Sequence, residues 1–423
     1  MSDYKQINYP LSVAWDSTVR TGNFTAEKTL GYFVNTTAGQ ITVTLPASPS
    51  VGDQVAIKDY AGTFGTNSCV IAGNGANIQG SAADSALKTN RGAAVLVYVD
   101  STKGWIYQQQ SNASDNIDVL YVSASGGTET TSGDWKIHTF NSSGTFTVNC
   151  AGNASGSNTV DYMVVAAGGS GGYFRGGGGG AGGFRESVPS PAAWSASPLA
   201  NPGGSLPVSV TAYPVTVGGG GASVTAANRG NNGNPSVFST ITSAGGGGGG
   251  GEVSQPGANA GGSGGGRGGG RQPPGSGGAG NTPPTSPPQG NPGGAFGPGG
   301  PTNNGDFGGA GGGGAGGAGP IGGTCGTASP GAPGVSTSIT GGSVTRAGGG
   351  GGAANAGSGG GSGGGGASAS PGAAPGPKIG NAGSGNTGGG GGAGPSQSYQ
   401  CAPPYVSGAG GSGVVVIRYK FQN

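Results

Sequence analysis

The chain has 423 residues, of which 107 are glycine, 32% are hydrophobic and 8% are charged, with a formal net charge of +2. Ordinary domains are about 45–50% apolar and about 25% charged, so this composition excludes a helical bundle, an α/β enzyme and a single-core globule. Positive and negative charges nearly balance and no basic run is present, so the sequence does not predict electrostatic binding to nucleic acid. Long apolar stretches are absent, so we expect no membrane-spanning segment and no secretory signal.

The first 110 residues predict a polar N-terminal arm at 1–29 and a β-module at 30–110. Apolar and polar residues alternate in six short stretches, each bounded by turn residues: Gly31–Asn35, Ile41–Leu45, Gln54–Lys58, Cys69–Ile71, Ala94–Val99 and Gly104–Gln108. This alternation predicts an antiparallel β-sandwich that serves attachment or oligomerisation. The polar residues 111–118 are predicted to be a linker, and 119–423 a glycine-rich domain.

Two hairpins are predicted in the glycine-rich domain. Trp135–Phe140 and Thr145–Val148 have strand-like alternation and are separated by the turn residues Asn141–Gly144. The segment Ser336–Thr345 has a Gly-Gly pair between two alternating stretches. Turn residues between such stretches favour a tight reversal with antiparallel pairing.

Two apolar strands enclose the glycine-rich region. Val160–Ala166 runs directly into glycine, and Gly413–Lys420 emerges from glycine near the other end of the chain. We expect these strands to lie in one sheet, so that the region between them is a closed insertion anchored at both ends. Pro214–Val217 and Val237–Thr242 are expected to complete that sheet.

Residues 161–420 hold 90 of the 107 glycines, in tracts separated by Pro- and Asn-rich stretches. The tracts keep no Gly-X-Y frame, which excludes collagen. A flexible linker and a bundle of polyproline II helices both remain open. Ordering 90 glycines is opposed by roughly 100 kcal/mol of conformational entropy, which only hydrogen bonds between neighbouring segments can offset. The turn-like interruptions favour an ordered polyproline II bundle at about 168–412.

Residues with catalytic or metal-binding chemistry are sparse. The only histidine, His138, lies within a predicted strand without a nucleophile motif, which indicates a structural role. The acidic residues after Gly168 are Glu186, Glu252 and Asp306, too far apart in sequence to indicate paired carboxylates. We therefore expect no enzyme activity and no cofactor.

The four cysteines lack CxxC spacing, so no metal site is predicted: they are Cys69, Cys150, Cys325 and Cys401. Free thiols and a Cys325–Cys401 disulfide are both open.

Recognition by loops remains as a function for the domain. Candidate receptor-binding residues are the aromatic residues of its Pro-, Gln- and Asn-rich stretches, because Tyr and Trp supply contact area at low entropic cost: Tyr399, Tyr405, Trp194, Phe296 and Phe307. The alternative is that these side chains cap the glycine region or pack between protomers.

Three stretches carry a resemblance to a known family: Ile137–Val148, Val160–Gly169 and Gly411–Tyr419. Across about 117–421 the sequence resembles the glycine-rich domain of structural and tail-fibre proteins of marine bacteriophages, including cyanophages. The stretches 31–35 and 52–62 are similar to a β-sandwich repeated in such proteins. A looser resemblance links the chain to T-even phage tail-fibre adhesins, whose polyglycine-helix sandwich carries distal receptor-binding loops.

The resemblance implies a virion fibre or adhesin, assembled in the host bacterial cytoplasm. It implies a homo-oligomer, with a trimer favoured, that contacts other virion tail proteins and a host-surface glycan or outer-membrane protein. One alternative is a purely structural tail or capsid decoration. A more remote one is an ice-binding polyglycine protein, which needs a flat Thr/Ala/Val face that the Pro-rich interruptions disfavour.

Overall fold

The computed structural model describes residues 13–110, 120–154, 156–226, 228–251, 257–269, 275–295, 308–323, 329–353, 357–370, 378–395 and 405–422. These residues form strands and extended segments, with no helix among them, so the predicted all-β class is confirmed. The chain divides into two compact units, 1–119 and 120–423. The predicted linker, 111–118, lies outside the described residues.

Residues 13–110 of the first unit form nine strands: β1 (Ala14–Trp15), β2 (Phe24–Thr25), β3 (Leu30–Val34), β4 (Ile41–Thr44), β5 (Gln54–Asp59), β6 (Cys69–Ala72), β7 (Ser85–Leu87), β8 (Ala93–Asp100) and β9 (Gly104–Gln110). They form a five-stranded sheet of order β1-β3-β5-β8-β9 and a four-stranded sheet of order β2-β4-β6-β7. Tyr32 and Ile57 from one sheet, Val43 and Ile71 from the other, and Trp105 are buried in one shared core.

The purely antiparallel arrangement expected for this unit is wrong. Strands β3 and β5 pair in parallel, as do β4 and β6, because consecutive strands alternate between the two sheets. Each strand therefore lies beside the next but one, running in the same direction. In addition, β1 and β2 belong to these sheets although the sequence places them in the arm. Two-residue strands are too short to show alternation.

The second unit has sixteen strands among its described residues: β10 (Val122–Ser125), β11 (Thr128–Ser132), β12 (Trp135–Phe140), β13 (Gly144–Ala151), β14 (Thr159–Val165), β15 (Phe184–Val188), β16 (Ala200–Pro202), β17 (Leu206–Pro207), β18 (Ala212–Thr216), β19 (Ser236–Phe238), β20 (Ile241–Ser243), β21 (Val335–Thr337), β22 (Val344–Arg346), β23 (Lys378–Ile379), β24 (Tyr405–Val406) and β25 (Val414–Lys420). One sheet has the order β10-β13-β18-β19-β20, and the other the path β11-β12-β25-β14-β15-β16 with β17 paired to β14. We call the latter the seven-stranded sheet.

Strands β14 and β25 pair antiparallel with Val165 opposite Val414, as the sequence predicts. The predicted hairpin of β21 and β22 is also present. Two other expectations are wrong. Strands β12 and β13 lie in different sheets, and β18 to β20 join β13 instead of the β14–β25 sheet. Alternation identifies these segments as strands but does not indicate the sheet to which each belongs. Both sheets bury apolar side chains in one core, so their strands have the same pattern.

The described extended segments between Ala166 and Gly413, here called the glycine lattice, are held by backbone hydrogen bonds. In the segment 177–183, successive N–H groups donate to three different neighbours, and the neighbour repeats every third residue. The first neighbour is the segment 244–250, which accepts from Gly177, Gly180 and Gly183 through the carbonyls of Gly250, Gly247 and Ala244. The second is 310–313, which accepts from Gly178 and Ala181 through Ala310 and Gly313. The third is 388–391, which accepts from Gly179 and Gly182 through Gly391 and Gly388; all these bonds are 2.8–2.9 Å long.

The carbonyl groups of the same segment accept from three further segments, near Gly169, Gly266 and Gly350. Segment 177–183 therefore has hydrogen-bonded neighbours on all sides, which is why six of its seven residues are glycine. An ideal Cβ added at Gly179 would lie 2.1 Å from the Gly169 carbonyl oxygen. Glycine is the contact surface of this lattice.

Candidate functional site

A chain reversal at 172–177 marks the end of the glycine lattice opposite the seven-stranded sheet, here called the far end. The first lattice segment leaves β14 at Ala166 and reaches Gly172, whose N–H donates to the Gly177 carbonyl at 2.9 Å. The chain then returns through 177–183 to β15. Arg175, at the tip of the reversal, has a φ of 50°.

Several other lattice segments also reach the reversal at 172–177. Backbone hydrogen bonds of 2.6–3.3 Å join the reversal to these segments: Tyr173 to Asn228, Gly177 to Gly250, Arg175 to both Gly269 and Pro395, and Gly176 to Ala353. Five other lattice segments therefore meet the reversal at the far end.

An aromatic cluster lies at the far end. The ring of Tyr405 lies 6.0 Å from that of Tyr173 and 5.4 Å from that of Phe174, between centroids. The Arg175 guanidinium lies 5.3 Å from the Phe174 centroid. Phe174 is buried, whereas Tyr173 and Tyr405 are half-buried and present part of their surface to solvent. Residues distant in sequence therefore form one partly accessible aromatic surface.

Of the predicted receptor-binding residues, the structure places Tyr405 at the far end. Tyr399, Phe296 and Phe307 lie outside the described residues, as do both partners of the possible Cys325–Cys401 disulfide. Pro395 and Tyr405, which flank the segment containing Tyr399, both contact the 173–175 reversal. Tyr173 and Phe174 were missed by sequence reasoning because they stand in a glycine tract that looks like scaffold.

Trp194 lies elsewhere, against the seven-stranded sheet. Its ring packs edge-on to Trp135, with 5.5 Å between centroids, and the Arg418 guanidinium lies 4.4 Å from its centroid. Its indole N–H points toward Glu186 Oε1 at 3.4 Å. Because the ring and the indole N–H have intramolecular partners, we infer a packing role, and a receptor role for Trp194 stays a prediction.

The seven-stranded sheet buries four charged side chains that the sequence shows only as isolated residues: Asp161, Glu186, Arg346 and Arg418. Asp161 accepts hydrogen bonds from the hydroxyls of Ser187 and Ser205, both at 2.7 Å, yet burial raises the pKa of Asp161. Glu186 accepts from the Thr337 hydroxyl on β21, and Arg418 donates to the Ile339 carbonyl at 2.9 Å. These contacts attach the β21–β22 hairpin to the sheet.

His138 is buried, and its ring nitrogens have defined roles. Nδ1–H donates to the Gly126 carbonyl at 2.7 Å, so Nε2 accepts from the Tyr419 hydroxyl at 3.1 Å. The Tyr419 oxygen in turn accepts from the Ala124 N–H at 3.1 Å. Burial lowers the pKa of His138 and raises the pKa of Tyr419 to about 12. Both groups are therefore neutral near pH 7.

Metal-binding chemistry is absent from the described ranges, where no three His, Cys, Asp or Glu residues form a cluster. None of the described segments is a helix long and apolar enough to cross a membrane. Cys69 is a buried free thiol and Cys150 a half-buried one.

A family model for a glycine-rich domain matches residues 139–420. The match begins in β12 and ends in β25, so it covers most of the second unit, including both strands that enclose the lattice. A comparison with curated protein sequences finds no match.

Proposed function

The chain belongs to the glycine-rich domain family, and on that premise we propose that it is a bacteriophage virion fibre or adhesin that recognises the host surface. The far end carries this proposal. Half-buried Tyr173 and Tyr405 form an aromatic surface there, on a backbone hydrogen-bonded to several lattice segments. Binding residues commonly lie at chain reversals that a hydrogen-bonded scaffold holds in place.

In this proposal the lattice segments are polyproline II helices. Such helices have three residues per turn and no internal hydrogen bonds, so their N–H groups point outward in three directions. The three-residue repeat of hydrogen-bond partners along 177–183 is what this geometry requires. Glycine at each contact allows the helix axes to approach closely.

The first unit serves attachment in the same proposal. Its two sheets share one core, which supports a β-sandwich. We propose that this unit binds other virion tail proteins or mediates homo-oligomerisation, with a trimer favoured. Cryo-electron microscopy of virions that contain the chain tests this assignment, because it shows both the location and the copy number.

Host recognition is tested by incubating fluorescently labelled full-length chain with a panel of marine bacteria that includes cyanobacteria. The wild type is expected to label the surface of at least one isolate. Tyr405→Ala is expected to weaken that binding about tenfold, since central aromatic contacts often contribute 1 to 2 kcal/mol or more. Tyr60→Ala is the matched control, because Tyr60 is an exposed tyrosine, 59% accessible, in the other unit.

Two results separate this function from its alternative. If the chain labels no isolate, recognition is refuted, and a purely structural virion role explains the fold. If labelling occurs but Tyr405→Ala and Tyr173→Ala both bind like the wild type, recognition does not use the far-end aromatic surface.

A further inference from the structure

The described acidic residues of the second unit lie at one end, whereas its described cations lie at both: Lys136, Arg185, Arg346, Arg418 and Lys420 are at the sheet end. Its four described acidic residues lie within or beside the strands at the sheet end: Glu129, Asp134, Asp161 and Glu186. The lattice carries the cations Arg175, Arg229, Arg267 and Lys378, here called the lattice cations. The described lattice segments contain no acidic residue to balance these four cations.

The backbone positions of the lattice cations lie near the far-end aromatic surface. Arg175 lies in the reversal, and Arg229 follows Asn228, whose carbonyl accepts from the Tyr173 N–H. Lys378 on β23 is directly opposite Tyr405 on β24. Arg267 lies two residues before Gly269, which donates to the Arg175 carbonyl at 2.6 Å. Positive charge therefore lies at the same end of the lattice as the half-buried aromatic rings.

The apolar part of this surface extends beyond the rings. Ile379, next to Lys378, is 57% exposed. Sugar rings present C–H faces that pack on aromatic and aliphatic side chains, and carboxylates or sulfates on those rings pair with guanidinium and ammonium groups. A ligand that alternates apolar faces with negative charge matches this surface in both respects.

We propose that the far end binds an acidic polysaccharide, one that bears uronate or sulfate groups. This inference deepens the proposed function and rests on it for its biological setting. A peptide that adds a strand is a poorer match, because the described strands at this end, β23 and β24, have only two residues each. An acidic protein receptor is the competing outcome of the test.

Direct binding is measured by biolayer interferometry with immobilised full-length chain and three probes: alginate, dextran sulfate and neutral dextran. The charged probes are expected to bind, more weakly as ionic strength rises, and the neutral one is not. The double variant Arg229→Gln, Lys378→Gln is expected to lose about 4- to 25-fold in affinity, taking about two- to fivefold per exposed charge.

The matched control is Arg185→Gln, Lys136→Gln, which removes the same two charge types at the sheet end. It is expected to change affinity less than about twofold. Equal losses in the two double variants would mean that binding follows net charge alone, and this would overturn the proposal. Binding of neutral dextran as tight as that of alginate, or no binding of either charged probe, would overturn it as well.

Cell binding separates this inference from the proposed function. Soluble alginate or dextran sulfate is expected to compete with labelled chain for bacterial cells. If labelling survives both competitors but is abolished when the cells are treated with protease, the receptor is a protein; recognition then stands and the polysaccharide inference fails. If no isolate is labelled, the proposed function fails, while the interferometry still decides whether the surface binds acidic polysaccharide.

Discussion

Replacing Gly179 by alanine tests whether glycine is the contact surface of the lattice. The added Cβ would lie 2.1 Å from the Gly169 oxygen and 2.8 Å from the Ser170 oxygen, where ordinary contact begins at 3.4 Å. The two segments must separate by about 1.3 Å, the difference between the first and last of these distances. Such a shift breaks the bonds that join the two segments, from Gly169 N–H to the Gly180 carbonyl and from Gly172 N–H to the Gly177 carbonyl, both 2.9 Å long.

The expected loss of stability is about 3 kcal/mol. Two backbone hydrogen bonds contribute about 1 kcal/mol each, and overpacking a tight interior costs about 1–3 kcal/mol. Alanine recovers about 0.4–1 kcal/mol by restricting the unfolded chain. In urea, this loss corresponds to a midpoint about 1 M lower.

The assay is urea unfolding of the full chain followed by far-ultraviolet circular dichroism. Gly359→Ala is the matched control: an added Cβ at Gly359 meets nothing within 4 Å, and its φ lies outside the left-handed region. That variant is expected to be unchanged or more stable by about 0.4–1 kcal/mol. If both variants unfold at the wild-type midpoint, or if the lattice signal melts gradually without a cooperative transition, the packing argument is refuted.

Three further predictions each concern one side chain. Burial lowers the pKa of His138 in the folded state, so at acidic pH the unfolded state binds more protons than the folded state. The free energy of unfolding is therefore unaffected by His138 above about pH 6.5 and falls below that pH, by at most about 1.4 kcal/mol per pH unit. Urea midpoints between pH 7.5 and 5.5 measure this slope, and His138→Gln should flatten it. Burial raises the pKa of Cys69 to about 12, so iodoacetamide at pH 8 should modify native Cys69 at least about 100-fold more slowly than in urea, by mass spectrometry. Trp194→Ala removes a half-buried ring, so it should lower stability by about 1–2 kcal/mol and leave cell binding unchanged.

Each of these has an outcome that contradicts it. A wild-type slope retained in His138→Gln would assign the pH dependence to other groups. Equal alkylation of Cys69 in native and unfolded chain would mean that the core of the first unit opens readily. Reduced cell binding by a fully stable Trp194→Ala would restore the receptor role predicted for that residue.

Local pattern accounts for what sequence reasoning obtained correctly. Period-two alternation identified most strands of the first unit, and the apolar runs before and after the glycine tracts identified β14 and β25 as partners. The isolated β21–β22 hairpin was also recognisable, because its turn and both strands lie within twelve residues. The Pro- and Gln-rich stretch around Tyr405 is again a local signal, and the binding role of Tyr405 stays a prediction.

Tertiary structure decided which segments lie side by side. Parallel pairing of β3 with β5 depends on the chain crossing between sheets, which alternation does not encode. Trp194 and Tyr405 looked alike as aromatic residues in Pro-rich sequence, yet one packs on Arg418 and the other lies at the far end.

By itself, the sequence determined that most of the glycine lies between two strands of one sheet, because side-chain pattern is read along the chain. It did not determine which glycine tracts are neighbours, or that Tyr173 lies beside Tyr405. Lattice contacts are made by N–H and C=O groups that every residue except proline carries. Identical tracts therefore hold no information about their partners, and only the folded chain selects them.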